Sequence, residues 1–211
     1  FLATDASIEF DLLEDILHHS VDRSFNRVTI DSDTSTNDSC MLSATHLSEV
    51  QIAKGSESLR QFSAAMDEVC VELAKGIVKD GEGASKFIEV KVENGNDTNE
   101  CLTIAYSVAE SPLVKTAMYA SDANWGRILM AVGKAGVQDL DVAKVSIYLE
   151  DVCIVRCGER DERYREEMGA AVMANEEIIV RIDLGRGETT ESVWTSDLSH
   201  EYVRINAEYR T

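Results

Sequence analysis

Three observations predict a mixed α/β fold, of the α/β or α+β class. Long apolar stripes at spacings of three and four fill the first two thirds of the chain. Beyond residue 145, apolar and polar residues alternate with a period of two. Turn-forming glycine, asparagine and aspartate residues punctuate the periodic stretches. With 211 residues, 44% of them hydrophobic, and a single proline, the chain can bury a core and is too ordered in composition for a disordered tail.

The elements follow in order. Ile8, Leu12, Leu13, Ile16, Leu17 and Val21 recur at helical spacing, and Ser7 is placed as N-cap with Glu9 and Asp11 favourable in the first turn. Residues 27–30, brief and β-branched, predict a strand. The run Asp31-Ser32-Asp33-Thr34-Ser35-Thr36-Asn37-Asp38-Ser39 then predicts a loop, because such side chains compete for backbone hydrogen bonds. The longest stripe, Leu59, Phe62, Met66, Val69, Cys70, Leu73, Ile77 and Val78, predicts a long helix ending near Lys79, with Gly81 and Gly83 as stop signals. Residues 87–92 read as a strand with Glu89 and Lys91 outward. A turn at Asn94-Gly95-Asn96-Asp97 leads to a helix over 99–109.

Pro112 marks a fresh start, with helical pieces at 113–119 and 125–135 separated by the polar Ser121-Asp122-Ala123-Asn124. Val145, Ile147 and Leu149, then Cys153, Ile154 and Val155 across Glu150-Asp151, predict a hairpin. A charged helix is expected over 161–174 and strands at 177–184 and 188–195 around Gly185-Arg186-Gly187. The last expected element is a short closing strand at 202–205. No linker or repeat divides residues 1–211, although the change near residue 140 allows two lobes, a helix-rich 1–140 and a strand-rich 141–211.

Charge and composition exclude several function classes. Twenty Lys and Arg against 39 Asp and Glu leave a net charge of −19 and a pI near 4.5, which works against nucleic acid and anionic membranes as partners. The longest apolar runs, such as 128–132, are far shorter than the ~20 residues that span a bilayer, so a soluble, cytoplasmic protein is expected. Five cysteines without a CxxC pair fit a reduced compartment; Cys70, Cys101 and Cys153 fall in apolar patterns, where the thiol acts as a small hydrophobe.

No metal site is expected. His18 and His19 point to different helix faces, and His46 and His200 stand alone. Asp31, Asp33 and Asp38 lack the glycine and glutamate a calcium loop needs. Neither Gly81-Glu82-Gly83 nor Gly185-Arg186-Gly187 is long enough for a dinucleotide fingerprint, and no GxSxG elbow occurs. One feature stands out: Glu82, a carboxylate held between two glycines after a long helix. Flanking glycines let a backbone approach a small molecule, and an acid there can meet an ammonium group; a plain helix-ending turn is the alternative.

Six segments in this order carry a resemblance that covers 1–211. They are Phe1-Leu2-Ala3-Thr4-Asp5-Ala6; Ser24-Phe25-Asn26 with the 31–38 run; Gly81-Glu82-Gly83-Ala84-Ser85-Lys86-Phe87; Ser111-Pro112-Leu113-Val114-Lys115-Thr116-Ala117; Asn124-Trp125-Gly126-Arg127-Ile128; and Tyr202-Val203-Arg204-Ile205-Asn206-Ala207-Glu208-Tyr209-Arg210-Thr211. Together they resemble the β chain of the glutamate N-acetyltransferase/ornithine acetyltransferase family of arginine biosynthesis, whose precursor cuts itself into α and β chains.

The resemblance implies a layered helix–sheet–sheet–helix sandwich completed by a separate α chain, with αβ units associating further, as in a heterotetramer. It also implies ping-pong acetyl transfer from N-acetylornithine to glutamate through an acetyl-threonine enzyme. The threonine nucleophile is expected in a Thr-Met-Leu-small stretch, four positions upstream of Phe1, so no catalytic residue is expected within 1–211. Oxyanion donors and a substrate-binding lysine come from the α chain. Glu82, Asn206 and Thr211 match substrate-contacting positions, whereas Trp125, Arg127, Asp33 and Thr36, equally characteristic, can serve as scaffold. No cofactor is implied, with acetyl-CoA a co-substrate in some members. The competing readings are a related N-terminal-nucleophile aminopeptidase or amidase, and a non-catalytic acidic interaction domain.

Overall fold

The computed structural model describes residues 1–209 and divides them into two compact units, residues 1–28 with 33–76, and residues 29–32 with 77 onward. Residue 140 therefore falls inside the second unit.

In the first unit, β1 (Leu2–Thr4) pairs in parallel with β4 (Leu42–Ala44), and β2 (Ser7–Ile8) with β5 (Gln51–Ile52). Helices α1 (Phe10–Asp22) and α2 (Glu57–Lys79) supply Ile16, Met66 and Cys70 to a core that also holds Ala6, Ile8 and Ile52. The expected N-cap at Ser7 is corrected: its N–H bonds Val50 O at 2.9 Å within β2, so α1 starts at Phe10 after Glu9, without a side-chain cap. The loop over residues 31–39 holds no regular element, as expected.

The second unit is built on a seven-stranded mixed sheet. Its strands are β3 (Val28–Thr29), β6 (Phe87–Gly95), β7 (Ser146–Leu149), β8 (Val152–Arg156), β9 (Glu159–Arg160), β10 (Glu177–Asp183) and β11 (Thr189–Ser196), in the spatial order β3-β11-β6-β10-β7-β8-β9. β6 and β10 run parallel at the centre, and β11 and β7 flank them antiparallel. The pleat sends Ile88, Val90, Val92, Ile178, Val180 and Ile182 to one buried face. Helices α3 (Thr98–Ala109), α4 (Pro112–Tyr119) and α5 (Trp125–Gly133) cover this face. Their starts carry cap chemistry: Asp97, Ser111 and Asn124 each accept a backbone N–H of the first turn, and Pro112 opens α4.

Two further expectations are corrected. The charged helix shrinks to α6 (Glu166–Met173), because residues 161–165 wrap a local turn in which Asp161 accepts Arg163 N–H at 2.7 Å and meets Arg156 at 2.6 Å beside the buried Tyr164. The closing strand at 202–205 is instead part of helix α7 (His200–Glu208). Tyr202 and Ile205, three apart, are half-buried while Val203 is exposed, so helical spacing overrides β-rich composition.

Candidate functional site

Helix α2 ends by handing its last carbonyls to a tight turn. Gly81 N–H bonds Val78 O at 3.2 Å and Ala84 N–H bonds Gly81 O at 3.0 Å, which leaves Glu82 and Gly83 at the tip. Gly83 sits at φ 66, the left-handed value the third position of such a turn requires. It also touches the start of α7: a Cβ there would lie 2.6 Å from Tyr202 N and 2.9 Å from Glu201 C. Only hydrogen fits. Glu82 is exposed and makes no hydrogen bond or ion pair among the described residues.

Beneath this turn lies a concentration of buried polar groups. Of the twelve buried polar or charged side chains among the described residues, six belong here: Ser111, Lys115, Thr195, Ser196, Asp197 and Ser199. Buried polar atoms cost free energy unless satisfied, so such a cluster marks an organised structure. The Asp197 carboxylate accepts Ser85 N–H at 2.8 Å, Ser85 Oγ–H at 2.5 Å and Lys86 N–H at 2.9 Å. Ser199 donates Oγ–H to Gly83 O at 2.7 Å and caps α7 by accepting Tyr202 N–H at 3.1 Å. Lys115, on α4, donates to Thr195 Oγ1 at 2.7 Å and to Ser196 O, and its own carbonyl accepts Leu198 N–H at 3.2 Å. Tyr202 O–H donates to Asp31 at 2.6 Å.

Burial pulls the Lys115 ammonium from 10.5 down to about 8, while Asp197 and Asp31 pull it the other way. Between these two values the unfolded chain holds a proton that the native lysine has released, so this group makes stability rise with pH. Fully realised, that shift is worth roughly 3 kcal/mol. Cys101 acts in the opposite sense. Its thiol, pushed by burial from 9.0 up to about 11, stays protonated in the native state while the unfolded thiol ionises, so stability falls over that range. Denaturant unfolding of wild type and Lys115→Met from pH 7 to 10 is expected to show a stability difference that grows in favour of wild type above pH 8. A difference independent of pH contradicts this.

Asn206 lies on the exposed side of α7, four residues or about 6 Å of helix beyond Tyr202, with Nδ2 donating to Tyr202 O at 3.0 Å. The structure thus joins the Glu82 turn to the first turn of the helix that carries Asn206. Thr211 lies outside the described residues. Asp33 and Thr36 are on the exposed 31–39 loop, and Trp125 packs against the second core. Arg127 donates to Leu113 O at 2.9 Å and ties α5 to α4 as a scaffold would.

A hollow of about 330 Å³ beside the turn is lined by Lys79, Ser85, Lys86, Phe87 and Glu177, among others. Both lysines are engaged: Lys79 with Glu177 at 2.6 Å, and Lys86 with Met173 O at 2.5 Å and Asn175 O at 3.2 Å. No group of His, Cys, Asp or Glu among the described residues is arranged to hold a metal. None of the described helices is long and apolar enough to cross a membrane. The cysteines are free thiols. Burial also raises Cys70 and Cys153, consistent with packing roles.

Sequence reasoning passed over Asp197, Ser199 and Lys115. The signal for Ser199 was a serine three residues before Tyr202, hidden by the strand expectation. A lysine inside the apolar stretch Leu113-Val114-Lys115 was the signal for burial of a charge.

The pattern of the ArgJ family matches the chain over residues 1–211. The arginine biosynthesis bifunctional protein ArgJ of Pseudomonas fluorescens strain Pf0-1 is 54% identical over 214 residues, covering 100% of this chain and 53% of the relative. Its counterpart from Pseudomonas syringae pv. tomato strain DC3000 is 55% identical over 216 residues, with the same coverage. The chain spans about half the length of these curated relatives. A crystal structure of the arginine biosynthesis bifunctional protein argJ from Bacillus halodurans matches with a TM-score of 0.94 at 36% identity, covering 99% of this chain and 98% of that one.

Proposed function

The chain belongs to the ArgJ family, and from that premise we propose that it is the β chain of a self-cleaved N-acetyltransferase that moves the acetyl group of N-acetylornithine to glutamate. The observation that carries this reading is the match over all 211 residues to the family and to relatives named for arginine biosynthesis. In the proposed reaction a threonine upstream of Phe1 attacks the acetyl carbonyl through its hydroxyl, with the free α-amino group as base. The amide C–N bond breaks, ornithine leaves with the proton on its amine, and the acetyl group remains as an ester. The amine of glutamate then attacks that ester, N-acetylglutamate forms, and the threonine hydroxyl returns.

Glu82 pairs with the ammonium of the ornithine moiety in this scheme, and its exposure and lack of a protein partner among the described residues favour that role. Asn206 and Thr211 hydrogen-bond the polar groups of the amino acid. The α chain supplies the oxyanion donors and a substrate-binding lysine, and αβ units assemble further in the cytoplasm. No cofactor takes part. The word bifunctional in the relatives' names favours the form that also accepts acetyl-CoA to make N-acetylglutamate.

Intact mass and N-terminal sequencing of the purified gene product are expected to give two chains, the second beginning with threonine. Incubation with N-acetylornithine is expected to release ornithine continuously only when glutamate is supplied. Equally fast release without glutamate overturns the transferase and points to an amidase.

A further inference from the structure

We propose that Asp197 is a positioning residue that holds the Glu82 turn in register with helix α7, and that Lys115 is the buried charge that lets it do so; this rests on the acetyl transfer proposed above. The segment 196–199 grips the turn at its tip and immediately after it. At the tip, Ser199 Oγ–H holds Gly83 O at 2.7 Å. After it, the Asp197 carboxylate holds the N–H groups of Ser85 and Lys86 and the Ser85 hydroxyl, while Asp197 N–H returns a bond to Lys86 O at 3.3 Å. The same segment starts α7, because Ser199 also caps that helix at Tyr202. One short stretch of chain therefore fixes both the turn that carries Glu82 and the helix that carries Asn206.

Ending a helix requires none of this. A glycine turn on α2 suffices, whereas Asp197 and Lys115 are each only 3% exposed, and taking such charges out of water is costly unless they are mutually compensated. The arrangement underlies the turn that carries a carboxylate, Glu82, that itself bonds to nothing among the described residues. Rigid support around an unengaged charged side chain is how a binding group is held ready before its ligand arrives.

The test is a double-mutant cycle in the purified two-chain enzyme, with Asp197→Asn, Glu82→Ala and the double variant compared for KM and kcat with N-acetylornithine. Asp197→Asn keeps one acceptor oxygen for the backbone N–H groups but removes the charge facing Lys115. It is expected to raise KM on the order of tenfold with kcat changed less than about threefold. In the Glu82→Ala background the same substitution is expected to change KM by less than about twofold, because the residue it positions is gone. Losses that multiply in the double variant overturn the proposal, since a merely structural role depresses activity whether or not Glu82 is present.

Should Asp197→Asn fail to fold, Ser85→Ala, which removes one donor from an exposed residue, goes through the same cycle. A KM rise that vanishes without Glu82 supports the role, and one that persists overturns it. Wild-type enzyme without glutamate-dependent transfer removes the function itself and this role with it; active wild type with multiplying losses removes only the role of Asp197.

Discussion

Replacing Gly83 with alanine is expected to damage both stability and catalysis. At φ 66 an alanine is strained by about 1–2 kcal/mol. Its methyl would also sit 2.6 Å from Tyr202 N, 2.8 Å from Ser199 Oγ and 2.9 Å from Glu201 C. Two of these three are backbone atoms, which cannot swing aside as a side chain would, so relief requires the turn or the start of α7 to move. Overpacking of this kind costs a further ~1–3 kcal/mol. Thermal unfolding and steady-state kinetics on the proposed two-chain enzyme should show a lower melting temperature together with at least a tenfold loss in kcat/KM for its proposed substrate N-acetylornithine, the order of effect a displaced binding group produces. Unchanged values for both would mean that the turn does not bear on α7.

Glu82→Ala separates the two effects. Because Glu82 is exposed and makes no bond among the described residues, its removal is expected to leave the melting temperature within about 1 °C. Loss of the proposed charge-assisted bond to the ornithine ammonium is expected to weaken kcat/KM for N-acetylornithine by about 1.5–3 kcal/mol, or roughly 10- to 150-fold. If the enzyme accepts acetyl-CoA, that donor has no ornithine ammonium to meet, and its use should fall less. Kinetics identical to wild type would retire Glu82 from the site.

Long elements were legible because their periodic signals are strong. The stripe from Leu59 to Val78 became α2, the alternation over 87–92 became the core of β6, and the Asp97 and Pro112 signals marked the starts of α3 and α4. Strands such as β2 and β5, two residues each, contain no full period, and their parallel pairing across some forty residues left no local trace. Helix α7 was misread because Tyr202, Val203 and Ile205 favour strands by composition. A local cap, Ser199 accepting Tyr202 N–H, and a tertiary contact, Gly83 seated on the first turn, decide otherwise.

The candidate site was half legible. The glycines around Glu82 marked a special turn, and the resemblance supplied its expected role. Asp197 was unreadable, because a carboxylate in a Ser-Asp-Leu-Ser stretch looks like a solvated loop. Its donors lie 111 and 112 positions away, at Lys86 and Ser85. Only the antiparallel pairing of β11 with β6, which sets Ser196 opposite Phe87, brings them together.

Residues 29–32 belong to the second unit although the chain on either side of them, 1–28 and 33–76, belongs to the first. The polypeptide thus visits the later unit for four residues, leaves, and returns only at residue 77. Any fragment cut to begin at residue 77 lacks Asp31, and with it the acceptor for the Tyr202 hydroxyl. Such a fragment keeps the Ser199 bond to Gly83 O but loses one tether of the helix that bears Asn206.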